Sequence, residues 1–341
     1  MSRGSLEHSS VNRRVLVLGS SGFIGSQLTD ALSTCGWATP IAAVHRHEPP
    51  PRLQPVITTR LDGCDTHALR QGLRSVDSVV SAITADADTI VRSARALVEA
   101  CALQSPAPRI VHLSSMMVYG TATGNVGEHV PLKGDWDDYS AAKAEAERIL
   151  TGYRLVVHLR PGIVYGPGSP IWSGRIGRWL RSGRLGDLGP SGTGYCNLVH
   201  VHDVVEAVLR ALQLPDIETE AFNLSCPSPP TWNEYFRQYA AALGCPYRRI
   251  AGSRLKLERY LFGPPLKLLE VGAARLRLGA FPPPPIRPWL LRLCRHEIRL
   301  DVHKAEGLLG MRWKTLRDGL QESADWVLGR REISATREPI A

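Results

Sequence analysis

The run Arg14-Val-Leu-Val-Leu18 passes without a break into Gly19-Ser-Ser-Gly22-Phe-Ile-Gly25, and then into a helix-like stretch, Phe23 to Cys35, closed by Gly36. A short continuous apolar run fits a strand covered on both faces, as in parallel sheets flanked by helices. Glycines at i, i+3 and i+6 between strand and helix allow a tight turn and the close approach of a diphosphate to the helix N-terminus. There the backbone N–H groups and the helix dipole favour an anion. Gly19, Ser21, Gly22, Phe23, Ile24 and Gly25 are therefore the expected dinucleotide cradle.

The strand–helix alternation continues. A second strand, about Ile41 to Val44, ends at His45-Arg46. Where an NAD site usually offers an acid to the ribose hydroxyls, Arg46 suits a 2′-phosphate, so NADP(H) is expected over NAD(H). Val56–Thr59 reads as a strand, followed by Asp62 and a helix to Leu73. Ser78–Ile83 and Arg109–Ser114 read as strands around a helix from Asp86 to Leu103. Asp62 lies just past a strand end and is a candidate adenine contact, or equally a turn or capping residue. Repeated units imply an α/β fold with a doubly wound, Rossmann-type parallel sheet that binds ligands at the strands' C-terminal edge. The expected organisation is a disordered tail (1–13), an NAD(P)-binding domain (14–168, rejoined by about 198–226), a smaller, mostly helical substrate lobe (169–197 and 227–330), and a loose tail (331–341).

Tyr139-Ser-Ala-Ala-Lys143 places a phenol and an ammonium one turn apart on one helix face, with Asp137 or Asp138 able to start that helix. Nine Tyr and only six Lys in 341 residues give about 0.16 chance occurrences of this spacing. A free phenol has a pKa near 10, and bringing it near neutrality takes about 4 kcal/mol of preferential stabilisation of the anion. An ammonium about 4 Å away supplies a contribution of that size in a partly buried site. A depressed Tyr139 pKa is thus expected.

Four motifs occur in order: Gly19-x-x-Gly22-x-x-Gly25, Ser114-Ser-Met-Met-Val-Tyr-Gly120, Tyr139-x-x-x-Lys143 and Arg160-Pro-Gly-Ile-Val-Tyr-Gly-Pro-Gly168. Together with Leu198-Val-His-Val-His-Asp203 they resemble the extended short-chain dehydrogenase/reductase superfamily, in the group of the NAD-dependent epimerase/dehydratase family. The resemblance implies hydride transfer at nicotinamide C4. Ser115, five before Gly120, would hydrogen-bond the reacting oxygen, and Ser114 would be a strand-end hydroxyl. Tyr139 would exchange the proton and Lys143 would hold the nicotinamide ribose. It also places Ser81, Pro161 and Val164 at the cofactor, and suggests a homodimer through helices 86–103 and 139–151.

Departures from the family pattern narrow the reaction. Nucleotide-sugar dehydratases carry Thr-Asp-Glu where this chain has Ser115-Met116-Met117, so no acid is available to protonate a leaving hydroxyl. Many nucleotide-sugar epimerases bind the substrate diphosphate through an Arg at the position of Cys196, followed by an Asp at Asn197. A neutral thiol cannot replace that bidentate cation. The expected activity is oxidoreduction of a secondary alcohol or ketone, with a nucleotide-sugar epimerase as the alternative and a non-catalytic cofactor-binding protein behind both.

The net charge of +9 bears on partners. Between Arg254 and Arg295 nine basic residues face only Glu258 and Glu270, interleaved with leucines and broken by Pro264-Pro265 and Pro282–Pro285. No reading module or interleaved aromatic set accompanies it, so nucleic acid is not expected. The run 254–295 is read as lobe core, or else as a peripheral membrane contact or the entry for a lipid-like substrate. No leader and no membrane span are apparent, and seven scattered cysteines without a C-x-x-C suggest reduced thiols in the cytoplasm, without structural zinc. A small-molecule carbonyl or alcohol, sugar or lipid-like, is the expected partner. No His, Asp, Glu or Cys set has metal-ligand spacing; His200 and His202 are expected to pack, and Asp203 to cap a helix from Val204 to Leu212. Helices are also expected over 171–180, 231–243, 301–309 and 315–327.

Overall fold

The computed structural model describes residues 12–45, 55–215, 218–250, 286 and 288–329. Arg46, both tails and most of the basic run (251–285 and 287) lie outside the described residues.

The strands are β1 (Arg13–Leu18), β2 (Ala38–Val44), β3 (Ile57–Arg60), β4 (Ser78–Ser81), β5 (Arg109–Leu113), β6 (Gly124–Val126), β7 (Val156–Pro161), β8 (Ile163–Tyr165), β9 (Leu198–His200), β10 (Thr219–Leu224) and β11 (Ile298–Leu300). Seven of them form one sheet in the order β10-β7-β5-β4-β1-β2-β3, with every pairing parallel. Parallel strands require crossovers, and these are the helices α1 (Phe23–Thr34), α2 (Thr66–Gly72), α3 (Ala87–Ala102), α4 (Asp138–Thr151), α5 (Ile176–Arg181) and α6 (Val201–Gln213). Val15 and Val17 of β1 pack with α1 and α6, whereas Leu16 and Leu18 pack with α2, α3 and α4. That two-sided burial is why β1 is apolar at each position from Val15 to Leu18 rather than alternating.

A third core gathers α5, α7 (Trp232–Ala242), α8 (Pro288–Leu293) and α10 (Leu316–Val327). A short α9 (His303–Leu308) instead packs Ala305 onto the sheet. Two details differ from expectation. Residues Pro170–Arg175 form a wide π turn ahead of α5, because the hydroxyls of Tyr235 and Tyr239 reach in to the carbonyls of Trp172 and Ser173. And β9 pairs with β8 outside the main sheet, so α6 starts already at Val201 with His200, not Asp203, as its cap. All seven cysteines are free thiols. Among the described residues no helix is long and apolar enough to cross a membrane.

Candidate active site

The chain leaves β1 and turns back on itself at Gly19, whose φ of +78° suits glycine. The Gly22 N–H donates to the Gly19 carbonyl at 3.0 Å, and the Ser20 hydroxyl donates to the Ala43 carbonyl at 2.7 Å, tying the turn to β2. A Cβ on Gly25 would sit 2.2 Å from the Gly19 oxygen, so only glycine lets α1 approach β1 this closely. No side chain caps α1 and no acid lies in its first turn. Its N-terminal N–H groups are therefore left for an anion.

A cleft of about 660 Å³ opens over this turn. Of the residues expected at the cofactor, Gly19, Ser21, Gly22, Phe23, Ile24, Gly25, Asp62 and Val164 line it. Tyr139 and Lys143 are not among its lining, nor are Ser81 and Pro161, which are buried strand ends; the lining falls one step further on, at Ala82, Ile83 and Gly162. Sequence reasoning passed over His45, Cys64, Thr89 and Arg92, which form the far end beside Asp62. Asp62 accepts from the Cys64 N–H at 2.9 Å and stands 3.9 Å from His45 Nε2.

Ser115 follows β5 and caps the short turn Met116–Tyr119, its Oγ accepting from the Met117 N–H at 3.2 Å. Across from it, Asp137 and Ser140 form a reciprocal capping box that starts α4 and so sets Tyr139 and Lys143. The Tyr139 phenol is not depressed as expected. Burial pushes it above its ordinary value, a hydrogen bond from Ser115 opposes the rise, and Asp137 adds to it. Lys143 is directed elsewhere: its ammonium donates to the carbonyls of Leu113 (2.9 Å) and Ile83 (3.4 Å), the latter a cleft residue. Burial lowers Lys143 to about 8, while Glu147, one turn on, pulls it back up.

A buried polar layer supports this trio. Ser114 donates to Glu147 Oε2 at 2.6 Å, and Arg160 Nε donates to Glu147 Oε1 at 2.9 Å. Arg160 also donates to the Tyr119 hydroxyl (2.7 Å), which donates in turn to Asn223 Oδ1 (2.7 Å). Ser114 is thus more than a strand-end hydroxyl. The hint lay in the sequence: an Arg inside the buried strand Val156–Pro161 demands a buried anion.

His200, His202 and Glu322 offer ligand atoms within 4.8 Å of one another, a set that linear spacing concealed. His200 Nδ1 accepts from the His202 N–H at 3.3 Å, which leaves the ring proton on Nε2, 3.4 Å from a Glu322 oxygen; Lys314 donates to the other oxygen at 2.5 Å.

A glycine turn that any Cβ would block, an uncapped helix N-terminus, and a cleft whose wall residue Ile83 accepts from the Lys143 ammonium all fit a bound dinucleotide. They define an NAD(P)-dependent enzyme of the extended short-chain dehydrogenase/reductase type. The chain belongs to the NAD dependent epimerase/dehydratase family, whose model matches residues 15–225. It is 27% identical over 255 residues to protein YeeZ of Escherichia coli (strain K12), covering 68% of this chain and 84% of that protein. With the 2-alkyl-3-oxoalkanoate reductase of Stenotrophomonas maltophilia (strain K279a) it shares 25% identity over 258 residues, 68% of this chain and 76% of the other. The fold is similar to that of UDP-glucuronic acid 4-epimerase from Bacillus cereus, solved with UDP-glucuronic acid and NAD. The TM-score is 0.69 at 21% identity, over 93% of this chain and 100% of that one.

Proposed function

We propose that this enzyme reduces a ketone to a secondary alcohol, with Ser115 and Tyr139 sharing the substrate oxygen. The observation that carries the reading is the Asp137/Ser140 capping box, which sets Tyr139 and Lys143 on α4 beside Ser115, with burial holding the phenol above its ordinary value. Such a phenol is protonated throughout the neutral range, the state needed to donate to a developing alkoxide. When bound, reduced nicotinamide supplies the hydride to the carbonyl carbon and leaves oxidised. Ser115 holds the carbonyl oxygen, Tyr139 gives that oxygen its proton, and Lys143, fixed by the carbonyls of Leu113 and the cleft residue Ile83, would hold the nicotinamide ribose. Buffer then restores the phenol's proton.

NADP(H) is the preferred form in this reading, supported by Arg46 directly after His45, a residue of the cleft. The epimerase alternative would retain its cofactor through turnover. Against it stands Asn197, whose amide donates to the Ile298 carbonyl and accepts from the Leu300 N–H, both at 2.9 Å. Cys196 beside it is fully buried.

The test is NADPH oxidation by the purified chain with a panel of ketones. Stoichiometric consumption is expected, falling about 10²–10⁴-fold in Tyr139→Phe. Arg46→Asp should move the preference toward NADH. A tightly held, non-exchanging cofactor with no net consumption would replace the reductase reading by the epimerase one.

A further inference from the structure

The cleft does not end at the dinucleotide cradle. It continues along Ser169, Pro170, Ile171 and Trp172, in the π turn opposite the His45–Asp62 end. At this mouth three indoles form a ladder from core to surface. Trp232 is fully buried, Trp172 lies 5.7 Å from it, and Trp289 meets Trp172 edge-on at 5.9 Å. Large apolar side chains left exposed together mark a contact surface rather than a core. Ile171 and Trp289, each 37% exposed, are two such residues at one place.

The wall is held rigidly. The Tyr235 hydroxyl donates to the Trp172 carbonyl, the Tyr239 hydroxyl to the Ser173 carbonyl (3.0 Å), and the Gly166 N–H to Ser173 Oγ (2.9 Å). Two of the described cations on this side have partners of their own. Arg292 lies 3.9 Å over the Trp136 ring and donates to its carbonyl, and Arg295 donates to Ser191 Oγ at 2.7 Å. Among the described residues this mouth presents aromatic and aliphatic side chains, Ile171, Trp172 and Trp289, which fits an uncharged, apolar group better than a nucleotide sugar.

We propose that the Ile171/Trp172/Trp289 wall is the substrate-binding surface, and that the substrate is an uncharged ketone, or its alcohol, bearing a flat or extended apolar substituent. This rests on the reductase reading above and adds the substrate class to it. Propiophenone and 2-undecanone serve as probes, beside UDP-glucose and UDP-galactose, each assayed with NADPH and NADH. The apolar ketones should be reduced, and Trp172→Ala should lower kcat/KM for them at least 10-fold, chiefly through KM. Trp172→Phe should recover most of that loss. Trp289→Ala, outside the dinucleotide cradle, should raise KM several-fold and leave NADPH affinity within 2-fold of the parent. A readout independent of turnover is quenching of indole fluorescence when propiophenone is added to the NADP⁺-loaded protein, weakened in Trp289→Phe. Reduction confined to charged or nucleotide-linked carbonyls, or KM values that ignore both Trp replacements, would overturn the substrate class and leave the redox reading standing. NADPH binding without consumption on any carbonyl would overturn both.

Discussion

The two ends of the cleft are built by different means. At the cradle, consecutive residues do the work: Gly19 to Gly25 bend the backbone so tightly that an added methyl meets a carbonyl at 2.2 Å. At the apolar mouth, side chains from distant stretches meet ring against ring, Trp172 on Trp232 and Trp289. Backbone cannot be repacked, whereas a ring contact can be traded for another of similar volume. The first end is therefore tied to one ligand class, and the second is free to change its substrate.

The sharpest way to break that contrast is in the buried layer between α4 and β7, where Glu147 is almost fully buried against Arg160. Glu147→Ala would strand a buried guanidinium, and a loss of about 3–5 kcal/mol in denaturant unfolding is expected. At the lobe's edge, Arg249 pairs with Asp187 at 3.1 Å but is well exposed, so Arg249→Ala should cost less than about 1 kcal/mol. Equal losses would show that the rigid support is not confined to the sheet. Next in size is Gly25→Ala, for which we expect NADPH affinity, by calorimetry, to fall on the order of 100-fold, since the turn must open to admit the Cβ. In the lobe, a Cβ on Gly174 meets its nearest atoms at 3.3 and 3.5 Å, and Gly174→Ala should change the unfolding free energy by less than about 1 kcal/mol. Parental NADPH affinity in Gly25→Ala would remove backbone crowding as the basis of the cradle.

This difference also decided what could be read from the sequence. The glycine turn and the parallel sheet were legible because local spacing encodes them, as strand, glycines, helix; Tyr139 and Lys143 share α4 by i and i+4, whereas Ser115 was reached only through the family resemblance. The expected direction of the Tyr139 pKa was wrong because the argument counted charge and left out burial, and because Lys143 spends its ammonium on the Leu113 and Ile83 carbonyls. The Glu147–Arg160 layer joins α4 to β7, the His200–Glu322 contact spans 122 positions, and the indole ladder draws on residues 172, 232 and 289. No periodicity within one element records such pairings. The π turn was missed for the same reason, since its cause is two hydroxyls on α7, some 60 residues away.

A small, pH-dependent effect is expected where the two regions meet. Asp203 on α6 accepts from the Lys314 N–H with both oxygens, at 3.3 and 3.2 Å, and so ties the sheet's helix to the segment leading into α10. Burial raises its pKa from 3.8 to about 6, against the pull of Lys314. The sign is fixed by which state binds the proton more tightly. Below pH 3.8 the carboxyl is protonated folded or unfolded and contributes nothing. Between 3.8 and about 6 the unfolded chain ionises first, so the folded state loses stability as pH rises, and above about 6 the whole penalty is in place. Asp203→Asn carries no such penalty. It should gain on the parent by on the order of 1 kcal/mol between pH 4 and 7, less than the full shift implies because the amide also gives up a charge-assisted bond. Thermal unfolding of both proteins at pH 4, 5, 6 and 7 measures the difference. A gap that stays constant with pH would mean that Asp203 titrates alike in both states, and that the junction is polar but wet rather than part of the dry core shared by the two ends.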